Sequence, residues 1–378
     1  MSAAKRALVI GAGIGGLATA IALGQHGWTV TVIERRELNT TVGVGLNHPS
    51  NALRALRSLG LLEQVKEYGY HYRGIKRFDL DGNQIALFQP QDPEDVPFQI
   101  SMPRADLHRI LSEAADAAGA HVRFSTRWTG FEQKADGVEV ALSDGSTDSY
   151  DIVVAADGLR SSMRQALFGD GHDPIHTGFG AWRVAVPKPP DRVFSEYWQG
   201  AQGKATIIHL NDDLMYLLFV DRPEAGWTFD PSRAVEDLRD RLEGFTGIIG
   251  EIRDSELARE DIHWGPLEEV VLEPSWFAGR IVLIGDAAHA VTPHLAQGAG
   301  MAMEDALVLA DELDRNGSVP TALTAFMQRR YPRVKFVQDH AHEILVNEMQ
   351  TDEALKVKFA EGLGARQAEI ARTLTSPA

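Results

Sequence analysis

The chain has 378 residues, of which 44% are hydrophobic and 24% are charged, the composition of an ordinary globular protein with two or three domains. Its 53 acidic residues outnumber its 37 basic residues, and the formal net charge of −16 argues against a nucleic acid as the main partner. The absence of cysteine excludes disulfides, thiolate metal sites and a redox-active cysteine pair, and we expect no metal centre.

An apolar segment near the start of the chain, residues 7–24, has the length of a signal or membrane-spanning segment and follows Lys5 and Arg6. Five glycines within it would weaken a spanning helix, so a strand, a glycine loop and a buried helix explain it better. We therefore expect a soluble, cytoplasmic protein without a membrane partner.

The first predicted elements form a βαβ unit. Residues 6–10 are a short apolar run typical of a buried parallel strand, residues 17–25 are typical of a helix that Gly27 closes, and residues 29–33 are a second strand. The glycine-rich residues 11–16 lie between the first strand and the helix. A Rossmann-type fold binds a diphosphate at this position.

Within this loop, each glycine of the spacing Gly11-x-Gly13-x-x-Gly16 has a physical role. The first makes a tight turn, the second lets the backbone approach a diphosphate, and the third lets the helix pack on the strand. Glu34 closes the second strand, at the separation expected of a carboxylate that accepts hydrogen bonds from ribose hydroxyls. The loop predicts a cofactor with an ADP moiety, the alternative being a glycine-rich turn without a ligand. The residues predicted to bind this moiety are Gly11, Gly13, Ile14, Gly15, Gly16, Glu34 and Arg35.

Helices and a hairpin are predicted next. We expect Ser50 to cap one helix and Pro103 to start another. Residues 137–142 and the Asp-Gly turn at 144–145 predict a β-hairpin, and residues 151–156 predict a further buried strand.

The pattern changes in residues 171–273. Strand-like runs recur at 182–186, 205–210 and 215–220, with one helix near 232–243. These runs predict a second, mostly antiparallel layer.

Two segments that follow buried strands resemble motifs of one family. Residues 157–164, Asp-Gly-Leu-Arg-Ser-Ser-Met-Arg, resemble the DG motif of single-component flavoprotein monooxygenases. Residues 285–289, Gly-Asp-Ala-Ala-His, follow a predicted strand at 280–284 and resemble the GD motif of the same family. Further family-like segments are residues 43–46, 51–53, 104–107, 293–306 and 330–334.

The chain therefore resembles the single-component (group A, p-hydroxybenzoate-hydroxylase-like) FAD-dependent aromatic monooxygenases, near the salicylate, hydroxybenzoate, hydroxynicotinate and urate hydroxylases. The resemblance implies an α/β fold: a Rossmann-like FAD-binding βαβ domain with an inserted, mostly antiparallel substrate-domain sheet and C-terminal helices. The expected divisions are residues 1–72, 98–170 and 274–318 for the FAD-binding domain, residues 73–97 and 171–273 for the substrate-binding domain, and residues 319–378 for a C-terminal helical segment.

The resemblance also implies a reaction. NADH or NADPH reduces FAD, O2 adds to the reduced flavin as a C4a-hydroperoxide, and the terminal oxygen passes to a small aromatic or N-heteroaromatic ring. The protein must place the substrate, exclude water and manage a substrate proton. The substrate, the choice of nicotinamide, and the state as monomer or homodimer stay open at this point.

Several cofactor contacts follow from the same resemblance. Asp286 is implied to meet the ribityl hydroxyls of FAD, with a helix cap as the alternative. Asp157 either contacts FAD and NAD(P)H or only ends a strand in a turn, and Arg104 either reaches the cofactor or is solvated. Residues 298–300 are predicted to precede a helix that runs to about residue 313, and its N-terminus is implied to face the pyrimidine edge of the flavin. Ala296 stands where many relatives carry glycine. The residues so implied are Arg104, Asp157, Gly285, Asp286, Pro293, Gly298, Ala299, Gly300 and Met301.

Candidate catalytic residues come from the predicted antiparallel layer and from loops expected to face the flavin. Tyr216 lies mid-strand, where relatives often place a pocket tyrosine, and a half-buried core tyrosine is the alternative. Arg183 either pairs with an anionic substrate or points to solvent. A histidine suits proton transfer near neutral pH, although most of the 13 histidines must be structural; His289, within the GD motif, is interpreted as structural or cofactor-supporting. The candidates are Tyr216, His48, Asn47, Arg183, His209 and His294.

Two other functions stay open on the sequence alone: a different FAD chemistry on the same scaffold, and a flavin-binding protein without turnover. A halogenase is expected to carry a Trp-x-Trp-x-Ile-Pro segment, and none of the seven tryptophans lies in one. A disulfide reductase is excluded because the chain has no cysteine.

Overall fold

The structure is a computed structural model that describes residues 4–37, 43–79, 81–200, 203–350 and 353–378. Its strands are β1 Arg6–Ile10, β2 Thr29–Ile33, β3 Gly45–Pro49, β4 Tyr70–His71, β5 Ile75–Phe78, β6 Gln84–Phe88, β7 Gln99–Pro103, β8 His121–Arg123, β9 Trp128–Gln133, β10 Val138–Leu142, β11 Thr147–Tyr150, β12 Ile152–Ala155, β13 Ile175–Pro187, β14 Ser195–Gln199, β15 Gly203–His209, β16 Leu214–Asp221, β17 Ile262–Glu269, β18 Phe277–Ala278 and β19 Ile281–Leu283. Its α-helices are α1 Ile14–Gln25, α2 Ser50–Ser58, α3 Leu62–Tyr68, α4 Arg104–Ala117, α5 Ser162–Phe168, α6 Ala234–Arg241, α7 Gly247–Asp254, α8 Asp286–His289, α9 Gly298–Arg315, α10 Val319–Glu348 and α11 Glu353–Thr375. Short 3-10 helices lie at Pro231–Arg233, Arg259–Asp261 and Pro293–Leu295.

A six-stranded sheet has the order β18-β19-β12-β1-β2-β8. Strand β1 pairs in parallel with β2 on one side and with β12 on the other. Nearly all residues of β1 and β12 are buried, because helices cover both faces of such a sheet and the strands must be apolar on both sides. The predicted βαβ opening and the α/β fold class are confirmed.

Helix α1 begins at Ile14, earlier than the predicted start at Leu17. Gly15 and Gly16 belong to its first turn, where the missing side chains permit close packing. A Cβ on Gly15 would lie only 3.3 Å from the Cβ of Ala302 in α9. The sequence pattern assigned these glycines to a loop because their low helix propensity gave no sign of this tertiary contact.

The predicted N-cap of the second helix is wrong by one position. Pro49 occupies the cap of α2 in extended geometry, with φ −62° and ψ 166°, and Ser50 is the first helical residue. Strand β3 therefore runs directly into α2, and no side-chain cap bond forms there. The start of α4 agrees with the prediction, since Pro103 is its cap residue.

The predicted antiparallel layer is part of a seven-stranded sheet of order β17-β13-β16-β15-β14-β5-β6. Strands β13, β15 and β16 contain the three predicted runs. Strands β14 and β17 were not predicted. The hairpin of β5 and β6 comes from a much earlier part of the chain and joins the sheet through parallel pairing of β5 with β14.

The two faces of the seven-stranded sheet meet different parts of the molecule. The outer face, as we call it, packs against α6 and α7 and is apolar. Its side chains are those of Trp182, Val184, Val186, Trp198, Ala205, Ile207, Met215, Leu217 and Phe219. The inner face carries the alternate residues and lies against β3 and α10, since Tyr216 packs with Val44, and Val220 clusters with Leu345.

Two three-stranded sheets complete the β structure, in the orders β3-β7-β4 and β11-β10-β9. The pairing of β10 with β11 confirms the predicted hairpin. Helices α9, α10 and α11 follow the six-stranded sheet. Among the described residues, we find no helix with both the length and the apolarity needed to cross a membrane.

Candidate functional site

Two glycines of the loop at residues 11–16 are required by contacts within the protein. Gly11 has φ +103°, and a Cβ there would lie 2.5 Å from the carbonyl oxygen of Ala156, just after β12. A Cβ on Gly16 would lie 1.9 Å from the carbonyl oxygen of Gly11. These glycines therefore shape the turn and the packing of α1 on β1.

Gly13 is different, because the protein itself leaves space beside it. It is the N-cap of α1 with φ −81°, a conformation open to any residue, and a Cβ would have no described atom within 4 Å. Free N–H groups and the positive end of the helix dipole lie at this point. The open position suits the close approach of an anionic group such as a diphosphate.

Glu34 is held at the end of β2 by backbone donors. Its two carboxylate oxygens accept hydrogen bonds from Ala12 N at 3.0 Å and Arg36 N at 2.9 Å. A carboxylate oxygen has a second lone pair, so the fixed group can still accept from a ribose hydroxyl. Arg35, also predicted here, has an exposed side chain.

The DG segment is organised as a helix cap. The Asp157 carboxylate accepts from Ser161 Oγ at 2.6 Å, Ser162 Oγ at 3.3 Å and Met163 N at 3.2 Å. The turn interpretation of Asp157 is thus observed directly. Arg164, which follows, donates to the Ala287 carbonyl at 2.9 Å and ties this turn to the GD segment.

The GD segment presents a free carboxylate. Gly285, at φ +56°, is the N-cap of α8, and no side-chain cap bond forms at this helix, which removes the cap interpretation of Asp286. The Asp286 side chain is exposed. Burial lowers the pKa of Arg104, and the nearby charge of Asp286 opposes that shift, so these two predicted side chains lie near each other.

A buried network of charges and amides holds the segments around Asp286 in place. Arg330 of α10 binds Asp305 Oδ1 and Glu304 Oε2, both at 2.7 Å. Asp305 in turn accepts from Gly285 N at 3.0 Å and meets His289 Nε2 at 2.6 Å, which supports the structural interpretation of His289. Every member is paired, as a buried ionic network requires.

The same network reaches the first turn of α2. Glu304 Oε1 accepts from Asn51 Nδ2 at 2.9 Å, and Asn51 exchanges two hydrogen bonds with Gln297, the N-cap residue of α9. Helix α10 therefore positions the GD segment, the start of α9 and the start of α2 together.

The start of α9 contains the remaining predicted cofactor residues. Pro293 opens the 3-10 helix Pro293–Leu295, and the C-cap residue Ala296 has φ +54°. Gly298, Ala299 and Gly300 form the first turn of α9 rather than preceding it, and a Cβ on Gly300 would lie 3.1 Å from the Cβ of Ala52. The Met301 side chain is fully buried beside Arg330, so only its backbone faces the helix N-terminus.

The inner face of the seven-stranded sheet carries polar side chains among apolar ones such as Ile208 and Val220. Side-chain alternation and strand register place its polar residues on one side of the sheet. They are Arg77, Arg183, Tyr197, Gln199, Lys204, Thr206 and Tyr216.

Arg183 and Tyr216 lie close together on this face. Tyr216 is 5% exposed, and burial raises the pKa of its phenol to about 12, a shift that Arg183 partly opposes. Burial lowers the pKa of the Arg183 guanidinium, Tyr216 opposes this, and Arg104 adds to it. Arg183 forms no hydrogen bond or ion pair within the described ranges. The Arg183 side chain is half-buried, and a partly desolvated cation without an anion, next to a neutral phenol, is suited to binding an anionic group.

The other candidates of the predicted catalytic set lie at different places. In β3, His48 is fully buried, and burial lowers its pKa to about 4; neither ring nitrogen has a partner among the described residues. Its neighbour Asn47 points to the other side of the strand and has an unpartnered, buried Oδ1. His209 lies on the outer side of β15, where its ring meets Tyr70 edge-on at 5.0 Å, and so it does not share the inner face.

His294 lies between the GD segment and the inner face. Its side chain is 1% exposed, and both ring nitrogens lack a hydrogen-bond partner in the described part of the chain. Burial lowers its pKa well below the usual value, and the positive charge of Lys204 adds to the shift. Lys204 therefore lies near His294.

Sequence reasoning missed Tyr197, Gln199, Lys204 and Glu348. Period-two alternation with Thr206 and Ile208 would have placed Lys204 on the inner face. Glu348 has no such local signal, because it meets Lys204 from 144 residues further along the chain.

Comparison with known proteins identifies the family. The FAD binding domain family matches residues 5–341. YetM of Bacillus subtilis (strain 168), described as a candidate FAD-dependent monooxygenase, is 31% identical over 348 residues, which are 90% of this chain and 93% of YetM. The 6-hydroxynicotinate 3-monooxygenase of Pseudomonas fluorescens is 30% identical over 362 residues, 91% of this chain and 92% of that enzyme.

The fold is also shared with a solved flavoprotein. A Klebsiella pneumoniae HpxO variant, crystallised in complex with FAD, matches with a TM-score of 0.88 at 25% identity, covering 99% of both chains.

The residues present fit this cofactor. The open backbone at Gly13 offers a place for the diphosphate. The carboxylates of Glu34 and Asp286 offer two acceptors for hydroxyl groups of the cofactor. The chain therefore belongs to the FAD-binding-domain family, as an FAD-dependent enzyme of the aromatic-hydroxylase type.

Proposed function

We propose that the chain is an NAD(P)H-consuming monooxygenase that hydroxylates a small aromatic or N-heteroaromatic substrate held over the inner face. The observation that carries this proposal is the half-buried Arg183 guanidinium beside Tyr216, which has no anionic partner among the described residues. The proteins to which the chain is similar include an enzyme named for a hydroxylated N-heteroaromatic acid. A substrate of this class has the planar ring and the anionic group that such a pocket accommodates.

Each proposed role follows from the state of the side chain. Arg183 pairs with an anionic group or a developing phenolate of the substrate. Tyr216 stays protonated at neutral pH, because its pKa is about 12, so it donates a hydrogen bond and orients the ring. Asn47 and His294 offer further polar atoms without protein partners. We give His209 no role, because it lies on the outer side.

The FAD-binding residues would hold the cofactor along the edge of the six-stranded sheet. The loop after β1 and Glu34 hold its ADP half, and Asp286 and the start of α9 hold the flavin half. When bound, FAD supplies hydride acceptance from NAD(P)H and activation of O2. The chain contributes placement, exclusion of water and the field of the α9 N-terminus.

A substrate panel tests the proposal. Phenols, hydroxybenzoates and hydroxylated N-heteroaromatics are added to the FAD-loaded protein, NADH or NADPH oxidation is followed, and products are identified by mass. We expect at least one compound to stimulate oxidation and to gain one oxygen atom. A flavin-binding protein without turnover would instead bind FAD and show no stimulation with any compound.

A second measurement separates binding from chemistry. Arg183→Met is expected to weaken substrate stimulation while leaving the flavin absorbance spectrum of the loaded protein intact. If the substrate stimulated NADH or NADPH oxidation equally in Arg183→Met and in the wild type, Arg183 would no longer support the proposed function.

The predicted domain division also remains a proposal. The antiparallel sheet would be the substrate domain, with residues 73–97 contributing β5 and β6. We propose a cytoplasmic location, because NAD(P)H is supplied there, and a monomer or homodimer as the working state, which size-exclusion chromatography with light scattering would decide.

A further inference from the structure

Lys204 is a buried cation on the inner face with a carboxylate partner from a distant helix. It is 8% exposed, and its Nζ pairs with Glu348 Oε2. The Nζ also lies 5.4 Å from the ring centre of Tyr197, over which the Arg77 guanidinium stacks from 4.4 Å. In the described part of the chain, Glu348 is the carboxylate that pairs with an inner-face cation, while Arg77 and Arg183 have none.

Glu348 is unusual for its position in α10. It is the last residue of the helix, where the negative end of the helix dipole disfavours an anion. Its side chain is 17% exposed and lies between Lys204 and His294, with its Oε2 3.8 Å from His294 Nε2. The contact with Lys204 compensates the unfavourable position, and a terminal helical turn opens at low cost.

Other polar side chains lie close to this carboxylate. His294 has a 1% exposed side chain and two ring nitrogens without a partner. Gln199 Nε2 donates to the Glu348 carbonyl at 3.4 Å, and Tyr197 donates to Gln199 Oε1 at 2.8 Å. The Glu348 side chain thus accepts from Lys204 and lies beside the unpartnered His294 ring, on the proposed substrate face of the sheet.

We propose that Lys204 is the specificity-determining residue of an anion subsite that Glu348 occupies in the substrate-free enzyme, and that the acid group of an aromatic substrate displaces Glu348. This inference rests on the proposed function, because it assigns the subsite to the same pocket. The Glu348 carboxylate and the acid group of the ligand compete for one cation. A neutral aromatic gains no charge–charge contact with Lys204, so it does not displace Glu348. When Glu348 is displaced, the last turn of α10 loses its contact with Lys204, so binding of an anionic substrate changes the end of this helix.

Binding of simple probes to the FAD-loaded protein tests the competition without turnover. Calorimetry measures the Kd of benzoate and of its neutral analogue benzamide with the wild type, Glu348→Gln and Lys204→Met. Removing the internal competitor should lower the benzoate Kd on the order of tenfold, and removing the cation should raise it by a similar factor. Benzamide should bind both variants as it binds the wild type.

The chain offers a matched control pair. Lys335 and Asp339 form an ion pair on the exposed side of the same helix, with side chains 37% and 59% exposed. Lys335→Met and Asp339→Asn should leave both Kd values within about twofold, because exposed pairs contribute little.

The opposite signs of the two effects separate competition from a structural tether. If Lys204 and Glu348 only held α10 to the sheet, both substitutions would weaken benzoate binding together and lower the thermal midpoint equally, and the proposal would be wrong. Absence of benzoate binding to both the wild type and Glu348→Gln would also overturn it. Failure of the proposed function has a different signature: no oxygenated product from any aromatic, with the opposite-sign pattern for benzoate still present.

Discussion

The two faces of the seven-stranded sheet are built from alternate residues of the same strands, yet their chemistry differs. On the outer face, Trp182 is fully buried against other aromatic rings under α6 and α7. On the inner face, Arg183 is half-buried and has no anionic partner among the described residues, and the neutral phenol of Tyr216 is buried beside it. Buried apolar area stabilises the fold, whereas an uncompensated buried cation opposes it. The outer face therefore holds the sheet together, and the inner face is reserved for a ligand.

Adjacent residues of β13 allow the most direct test of this difference. Trp182→Ala should lower the free energy of unfolding by about 3–5 kcal/mol, because it leaves a large cavity. Arg183→Met should leave that free energy within about 1 kcal/mol or raise it, since it removes a half-buried charge that has no anionic partner among the described residues. Its kcat/KM should fall roughly 100-fold through loss of a charge-assisted contact with the substrate. Urea unfolding and steady-state kinetics measure the two effects. Comparable destabilisation by both substitutions would erase the distinction between the faces.

The glycine loop repeats the contrast between contacts with protein and contacts with a ligand. Gly16→Ala should destabilise the protein by about 3 kcal/mol, because the new Cβ meets a backbone oxygen 1.9 Å away. Gly13→Ala meets no protein atom, so the apoprotein should unfold at the wild-type temperature while its Kd for FAD rises at least about tenfold. Thermal unfolding of apoprotein and fluorescence titration with FAD separate the two. Normal FAD affinity in Gly13→Ala would show that the cofactor does not approach this position.

His48, which lies in β3 and outside the inner face, tests whether a buried polar side chain without a hydrogen-bond partner among the described residues lowers the free energy of unfolding. Burial lowers the pKa of His48 from 6.5 to about 4, so the unfolded chain binds its proton more tightly than the folded one. The stability that neutral His48 permits is present above pH 6.5 and is lost as the pH falls toward 4, by about 3 kcal/mol at pH 4. His48→Leu should lose less stability between pH 7 and pH 4 than the wild type. Exposed His121 provides the control, since His121→Gln should follow the wild-type curve.

The smallest expected effect concerns the backbone beside the inner face. Ala296 has φ +54° and ψ 32°, which glycine adopts at lower cost than alanine. Ala296→Gly should raise the free energy of unfolding by about 0.5–1 kcal/mol, after the entropy that glycine loses on folding. Ser125 also has a positive φ, +51°. Ser125→Gly is therefore a control that relieves the same kind of backbone strain at a position away from the site. Chemical denaturation measures both, and a destabilised Ala296→Gly would mean that this methyl group packs against something the loop needs.

Much of the FAD unit was predictable because its signals are local. A strand, a glycine spacing, a helix and a terminal acid occupy consecutive residues, and each has a backbone reason at its own position. The errors were local as well. Helix α1 starts at Ile14, because Gly15 packs closely on α9 despite its low helix propensity. Helix α2 is capped by Pro49, because strand β3 continues directly into it.

The inner face was predictable only in fragments. Tyr216 and Arg183 could be named as candidates, but nothing in the sequence paired them or separated them from His209. Strand register and alternation made that separation, because neighbouring residues of one strand point to opposite faces.

The sequence by itself determined the cofactor loop, the family resemblance and the α/β class, since these are written in short, ordered motifs. Tertiary structure alone decided which polar side chains share a surface, that β5 joins β14, and that Glu348 meets Lys204. Such contacts join residues far apart in the chain, and their energies depend on burial and on the charges opposite them, quantities that exist only once the chain is folded.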